Sequence, residues 1–152
     1  MKIAIGNDHA GILLKREIVG YLAGKEEDMS VTDYGAQDKP GLDYPDYAWE
    51  ICNKVLNSGY VRGILLCGTG AGMCMAANKV CGIRAVVCSD PYTAQLARAH
   101  NDANVLCIGA RVVGGELAKL IVDAFIEAPF EGGRHALRVA KIMNIETKNL
   151  SL

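Results

Sequence analysis

An open, doubly wound α/β sheet of five mainly parallel strands, with helices on both faces, is the fold that the sequence predicts. Three observations predict it. Short apolar runs alternate with longer helical patterns in the order β-α-β-α-β-α-β-α-β-α. The strand-like runs are apolar throughout rather than at every second residue, as strands covered on both faces require. The length of 152 residues fits one domain, and no repeat, low-complexity tract or linker divides it. The expected architecture is one Rossmann-like domain over 1–152, closed by a helix from about 133.

Each element has its own signal. Lys2–Gly6 reads as the first strand, and a helix follows over Gly11–Leu22 with Leu14, Ile18 and Leu22 on one stripe. Met29–Tyr34 is a second strand ending at Gly35, and the polar segment Ala36–Asp43, with Pro40 and Gly41, is a loop. Pro45 suits the first turn of a helix that runs to about Asn57 and is closed by Gly59. Gly63–Cys67 is a continuous apolar strand that breaks into Gly68-Thr69-Gly70-Ala71-Gly72, and a short helix reaches Lys79. Ile83–Cys88 is the fourth strand, and Asp90-Pro91 opens a helix to Ala99 or His100. Val105–Gly109 makes the fifth strand, Glu116–Glu127 a helix, and the last helix runs from near Gly133 through Ile145.

Composition narrows the function classes. The 16 Lys+Arg and 17 Asp+Glu leave a formal charge of −1 with no basic run, which argues against a nucleic-acid partner. The 51% hydrophobic content is high for a small soluble domain and hints at an oligomer. The longest uncharged stretch, between Arg62 and Lys79, is too short and too Gly-rich to span a membrane. Asp8 and His9 arrive before a signal-peptide core could form. Six cysteines without a CxxC pair fit reduced thiols, so a cytoplasmic protein is expected.

Ligands of open α/β sheets bind at the carboxyl ends of the strands. There lie Asn7-Asp8-His9, Cys67-Gly68-Thr69-Gly70 and Ser89-Asp90. Glycines between a strand and a helix let successive N–H groups converge on an anion. The loop is not a GxGxxG fingerprint, because Met73 holds the last glycine position, nor is it a P-loop. Cys67, held against that loop, should have its thiolate form favoured. Cys52, Cys74, Cys81, Cys88 and Cys107 read instead as small buried hydrophobes. A phosphatase would want Arg where Met73 stands, a glutaminase elbow Gly where Leu65 stands, and zinc a Cys/His cluster that is absent from the sequence. What remains is a thiolate general base. Asp8-His9 and His100-Asn101 offer further polar groups, and His135 is left without a role. Arg134 and Arg138 stand at i and i+4 at the start of the last helix, where like charges repel unless an anion lies between them. Arg111, after the fifth strand, offers a third cation.

Gly6-Asn7-Asp8-His9-Ala10-Gly11, Asp43-Tyr44-Pro45, Cys67-Gly68-Thr69-Gly70-Ala71-Gly72, Ala76-Ala77-Asn78-Lys79, Gly82-Ile83-Arg84-Ala85, His100-Asn101-Asp102-Ala103-Asn104 and Gly132-Gly133-Arg134-His135 occur in this order. With them the chain resembles the type B ribose 5-phosphate isomerases, in the family shared with galactose 6-phosphate isomerase subunits, from its first strand to its last helix. The resemblance implies interconversion of ribose 5-phosphate and ribulose 5-phosphate without metal or organic cofactor. It also implies a homodimer or tetramer with active sites at the subunit boundary. Carried over by position, Cys67 is the proton-abstracting base and His100 the ring-opening residue, with Thr69 counted beside them as catalytic. Asp8 and Asn101 hold sugar hydroxyls, and the amides of Gly68, Thr69, Gly70, Ala71 and Gly72 hold the enediolate. His9, Arg111, Arg134 and Arg138 bind phosphate, with His100, Asn101 and Arg111 coming from the neighbouring subunit. Some relatives place Glu where Met73 stands. Met accepts no proton, which leaves Cys67 as base, and Met73 is expected to border the sugar pocket.

Three other readings stay open on sequence. One is an isomerase of a six-carbon sugar phosphate. Another is a non-catalytic module binding a sugar phosphate or nucleotide. The third is a redox thiol protein, which the missing CxxC partner weakens.

Overall fold

The computed structural model describes residues 1–25, 29–37 and 41–150, with the backbone alone at 149 and 150. The strands are β1 (Lys2–Asn7), β2 (Ser30–Asp33), β3 (Arg62–Cys67), β4 (Ala85–Val87) and β5 (Val105–Gly109). The helices are α1 (Ile12–Ala23), α2 (Tyr44–Asn57), α3 (Ala71–Ala77), α4 (Pro91–Asn101), α5 (Gly115–Glu127) and α6 (Arg134–Leu150). All neighbouring strands pair parallel, in the order β2-β1-β3-β5-β4.

Alternate residues of the central strands feed two cores. Ile3, Ile5, Ile64, Leu66, Leu106 and Ile108 pack with Leu14, Ile18, Ala94, Ala97, Ile121 and Phe125 of α1, α4 and α5. Ala4, Leu65, Cys67, Val105 and Cys107 pack on the opposite face with Ala48, Ile51, Cys52, Met73 and Ala77 of α2 and α3. The sheet is thus covered on both sides, and this is why β1, β3 and β5 are apolar at every position.

Local chemistry sets the helix starts. Asp43 and Asp46 form a reciprocal capping box at α2, with Pro45 in its first turn. Asp90 accepts the Thr93 N–H at 2.7 Å at the start of α4.

Several expected boundaries are corrected. The fourth strand, expected over Ile83–Cys88, forms a ladder only over Ala85–Val87. Ile83 and Cys88 are buried outside that ladder, Ile83 in a turn whose N–H reaches the Val80 carbonyl. Expected cover on both faces also fails for β2 and β4, whose residues are half-buried or exposed because they form the rims of the sheet. A 3-10 turn over His9–Gly11 precedes α1. The last helix begins at Arg134 and runs beyond Ile145 to Leu150. Of the expected loop Ala36–Asp43, residues 38–40, Pro40 among them, lie outside the described residues.

Candidate active site

Strand order reverses between β1 and β3, and ligand crevices open where the carboxyl ends of such neighbours diverge. Asp8 and His9 leave β1 there, and the Cys67–Gly72 loop leaves β3. The Asp8 N–H donates to the Leu66 carbonyl at 3.1 Å, which ties the two loops together. Its carboxylate accepts the Ala10 N–H at 2.9 Å and so caps the 3-10 turn that carries the exposed His9.

Cys67 ends β3 with 5% of its surface exposed. It belongs to the α2/α3-side core, yet its Sγ accepts the Gly70 N–H at 3.1 Å and so is engaged by the loop. Gly70 has φ +79°, and a Cβ there would stand 2.8 Å from Val87 Cγ2. Only glycine fits this turn without strain. Thr69 is exposed, and its Oγ1 accepts the Ala71 N–H at 3.3 Å. Gly72 gives room to Tyr44, whose ring a Cβ would meet at 2.9 Å. Tyr44 is therefore a wall of this site; its motif was visible in the sequence, but its contact was not.

Arg111 belongs to the same group. Its N–H donates to the Gly68 carbonyl at 3.0 Å, and its guanidinium lies 3.4 Å from where a Gly68 Cβ would be. The expected grouping of Arg111 with His100 and Asn101 is corrected: β5 delivers it to its own chain's loop. Met73 is fully buried beneath the loop and faces the core rather than an open pocket.

A second group lies at the other end of the sheet. His100 and Asn101 close α4, only a short turn before Val105 opens β5, whereas Gly109, at the far end of β5, stands beside Cys67 in register. Five residues of strand span about 16 Å, so these two groups do not meet within one chain. The Glu131 N–H donates to the Ala99 carbonyl at 3.0 Å, which fixes the α5–α6 connection against the end of α4. Gly132 and Gly133, at φ +64° and +52°, then turn the chain into α6.

That turn places His135 face to face with His100, with ring centroids 4.1 Å apart and planes 6° apart. Glu131 Oε2 lies 3.7 Å from His100 Nε2 and 3.5 Å from His135 Nε2. The Arg134 Nε–H points to His135 Nε2 at 3.4 Å. Burial holds the His135 imidazole below the usual histidine range, and neighbouring His100 and Arg134 add to the effect. Arg134 and Arg138 are both exposed, one turn apart on α6. Arg98 and Arg84 clamp Asp102, the cap of α4 at φ +48°, at 2.7 and 2.8 Å.

The predicted residues thus form two groups. Asp8, His9, Cys67, Gly68–Gly72 and Arg111 lie at the carboxyl end, and His100, Asn101, Arg134 and Arg138 at the amino end. Glu131 was missed, and no role was assigned to His135, because only tertiary contact brings them to His100. The other cysteines divide as well. Cys52, Cys88 and Cys107 are buried as expected, whereas Cys74 is half-buried and Cys81 is exposed. A hydrogen bond with Cys107 draws the Cys74 thiol down to about 7, while burial pushes Cys52 and Cys88 up to about 12.

Comparison with known proteins adds an independent line. A ribose/galactose isomerase family model matches residues 3–142. The chain is 54% identical over 147 residues to ribose-5-phosphate isomerase B of Escherichia coli, covering 97% of each chain. It is 50% identical over 144 residues to D-erythrulose-4-phosphate isomerase of Pectobacterium atrosepticum, covering 93% of each. The structure of ribose-5-phosphate isomerase B from Clostridium thermocellum aligns with a TM-score of 0.93 at 50% identity, over 98% of this chain and 99% of that one. The Mycoplasma genitalium enzyme, solved with bound ribulose-5-phosphate, aligns with a TM-score of 0.88 at 44% identity over 96% of each chain.

Proposed function

The chain belongs to the ribose/galactose isomerase family, and from that premise we propose that it interconverts ribose 5-phosphate and ribulose 5-phosphate through an enediolate. Cys67 is the base in this reading. Its thiolate takes the proton from C2 of the open aldose; the C–H electron pair becomes the C1=C2 bond of the enediolate as the C1=O π pair moves onto O1. A proton then passes from O2 to O1, the O2 lone pair re-forms a carbonyl at C2, and the C1=C2 pair takes the proton back from the sulfur at C1 to give the ketose. The amides of Gly68, Thr69, Gly70, Ala71 and Gly72 hold the enediolate oxygen; one such donor is worth about 3–4 kcal/mol of barrier. His100 opens the cyclic sugar, a task suited to an imidazole. Asp8 and Asn101 hold hydroxyls. His9, Arg111, Arg134 and Arg138 hold the phosphate, whose binding energy fixes C2 against the sulfur. The chemistry so written requires neither metal nor organic cofactor.

Because Cys67 and His100 lie at opposite ends of one sheet, the proposal includes a second copy that supplies His100, Asn101, Arg134 and Arg138 to the loop of the first. The exposed Leu137, Ile142 and Ile145 of α6 support such a partner.

The observation that carries the reading is the Cys67 sulfur at the tip of β3, engaged by the Gly70 N–H at 3.1 Å. Cys67→Ala should lower kcat by at least about a hundredfold while leaving phosphate-dependent binding mostly intact, since general base catalysis contributes about 10²–10⁴-fold. Retention of more than about a tenth of the rate would remove Cys67 as base. The 50% identity to a D-erythrulose-4-phosphate isomerase gives a second substrate a specific claim. A kcat/KM series over ribose 5-phosphate, erythrulose 4-phosphate and the allose and galactose 6-phosphates decides between them. Preference for any sugar but the pentose overturns the assignment.

A further inference from the structure

Of the three histidines only His135 is buried, and its ring covers one face of His100. We propose that His135 is a positioning residue: its imidazole backs that of His100 and fixes the plane in which the His100 nitrogens meet the sugar. The proposal rests on the functional reading given above, in which His100 opens the cyclic substrate.

Both torsions of a histidine side chain must be set for proton transfer to a bound sugar, and the outer one is broad by nature. His100 sits near the end of α4 with 33% of its side chain exposed. A hydrogen bond would fix the ring but occupy a nitrogen that has to move a proton. A stacked ring fixes it and occupies neither nitrogen. The centroids stand 4.1 Å apart with the planes 6° from parallel, so the nitrogen-bearing edges of His100 stay outside the stack. Glu131 Oε2, 3.7 Å from His100 Nε2, is beyond hydrogen-bond length and leaves that nitrogen available.

The backing ring is itself held. The His135 N–H donates to the Gly132 carbonyl at 2.9 Å, and the Glu131 N–H donates to Ala99, the residue before His100. The turn that carries one ring is thus tied to the helix that carries the other. His135 is 6% exposed, and the Arg134 Nε–H points at its Nε2 from the ring edge, opposing a proton there. Burial, His100, Arg134 and Arg138 all hold the His135 imidazole below the usual histidine range, and only Glu131 pulls the other way. His135 therefore stays neutral near pH 7, and of the two rings only His100 takes up charge. Two stacked imidazolium rings would repel each other, so a neutral backing ring leaves His100 free to gain and lose its proton.

The experiment compares ribose 5-phosphate kinetics of the full chain with His135→Phe, His135→Asn, His100→Ala and the His135→Asn/His100→Ala double variant. Phe keeps a flat ring without a nitrogen, whereas Asn keeps a polar group facing Arg134 and loses the ring. Ribitol 5-phosphate, which has neither ring nor carbonyl, reports through its inhibition constant whether the sugar-phosphate site is intact. His135→Asn should lower kcat at least about tenfold with that constant within about twofold, since small misplacement of a reacting group is costly. His135→Phe should keep at least about a third of the rate. Once His100 is alanine, His135→Asn should cost less than about twofold more, because a residue that acts through His100 has nothing left to position. A full further loss in that background, a matching loss of ribitol 5-phosphate binding, or Asn outperforming Phe overturns the positioning role and leaves the functional reading standing. A His100→Ala chain as fast as the unaltered one overturns the functional reading, and the positioning role falls with it.

Discussion

Gly70 couples the loop to the catalytic sulfur proposed here. Its φ of +79° is costly for any side chain, its Cβ position is closed off by Val87, and its N–H is the one that meets Cys67 Sγ. Gly70→Ala should therefore cost about 1–3 kcal/mol of stability, read by urea denaturation. It should lower kcat/KM about ten- to a hundredfold through displacement of that N–H. An unchanged kcat/KM would separate the loop amide from catalysis. At this scale the sequence was informative wherever chemistry is local. Cys67 and its five loop residues could be singled out as candidates because a strand tip, a run of glycines and a thiol are adjacent in the chain. Glu131 and His135 lie more than thirty residues from His100, so the first was missed and the second was left without a role, since no spacing rule links an acid before the last helix to the end of the fourth. Met73 was expected at a pocket and lies in the core, because flanking a glycine loop says nothing about which way a side chain turns.

Among the elements, α4 has the most to hold in place at its end. Arg98 is almost wholly buried and bonds both the Asp102 carboxylate and the Ala103 carbonyl, while Arg84 reaches Asp102 from the turn before β4. Asp102→Ala leaves Arg98 without its charge partner and puts alanine at φ +48°. Loss of a buried partner costs about 3–5 kcal/mol, less here because Asp102 is partly exposed, so about 2–3 kcal/mol of destabilisation is expected by chemical denaturation. His100, two residues earlier, should move as well, and kcat/KM should fall with stability. The strands β1, β3 and β5 were legible because residues that feed two cores must be apolar at every position. The limits of β4 were not. Ile83 is as buried as a strand residue yet its N–H turns back to Val80, and hydropathy reports burial rather than pairing. Nor could the sequence reveal that β5 inserts between β3 and β4, since both candidate orders bury the same residues.

For the whole molecule, the separation of the two residue groups makes a shared site testable. Cys67→Ala and His100→Ala chains, each inactive alone, should regain activity when refolded together. Random pairing gives half mixed dimers with one intact site each, about a quarter of the native rate. No recovery would show that the site closes within one chain. Thiol burial sets a second property of the whole. Cys52 and Cys88 are pushed up to about 12 from an ordinary thiol value near 9.0, and complete burial also holds Cys107 well above that ordinary value. Unfolded thiols therefore lose protons above pH 9 that the native state keeps, and stability falls from there toward pH 12. Cys74, drawn down to about 7, has the opposite sign and adds stability between about 7 and 9. Urea midpoints under reducing conditions should therefore be lower at pH 10.5 than at pH 8.5; an equal or higher midpoint would contradict this thiol burial.

The two rims of the sheet are its shortest strands, four residues in β2 and three in β4, beside six in β1 and β3. An unpaired strand edge is a template on which stray chains can stack into fibrils. Here each edge offers so few backbone donors and acceptors that a foreign segment gains little by docking. The molecule should resist fibrillation for as long as it stays folded, even when crowded.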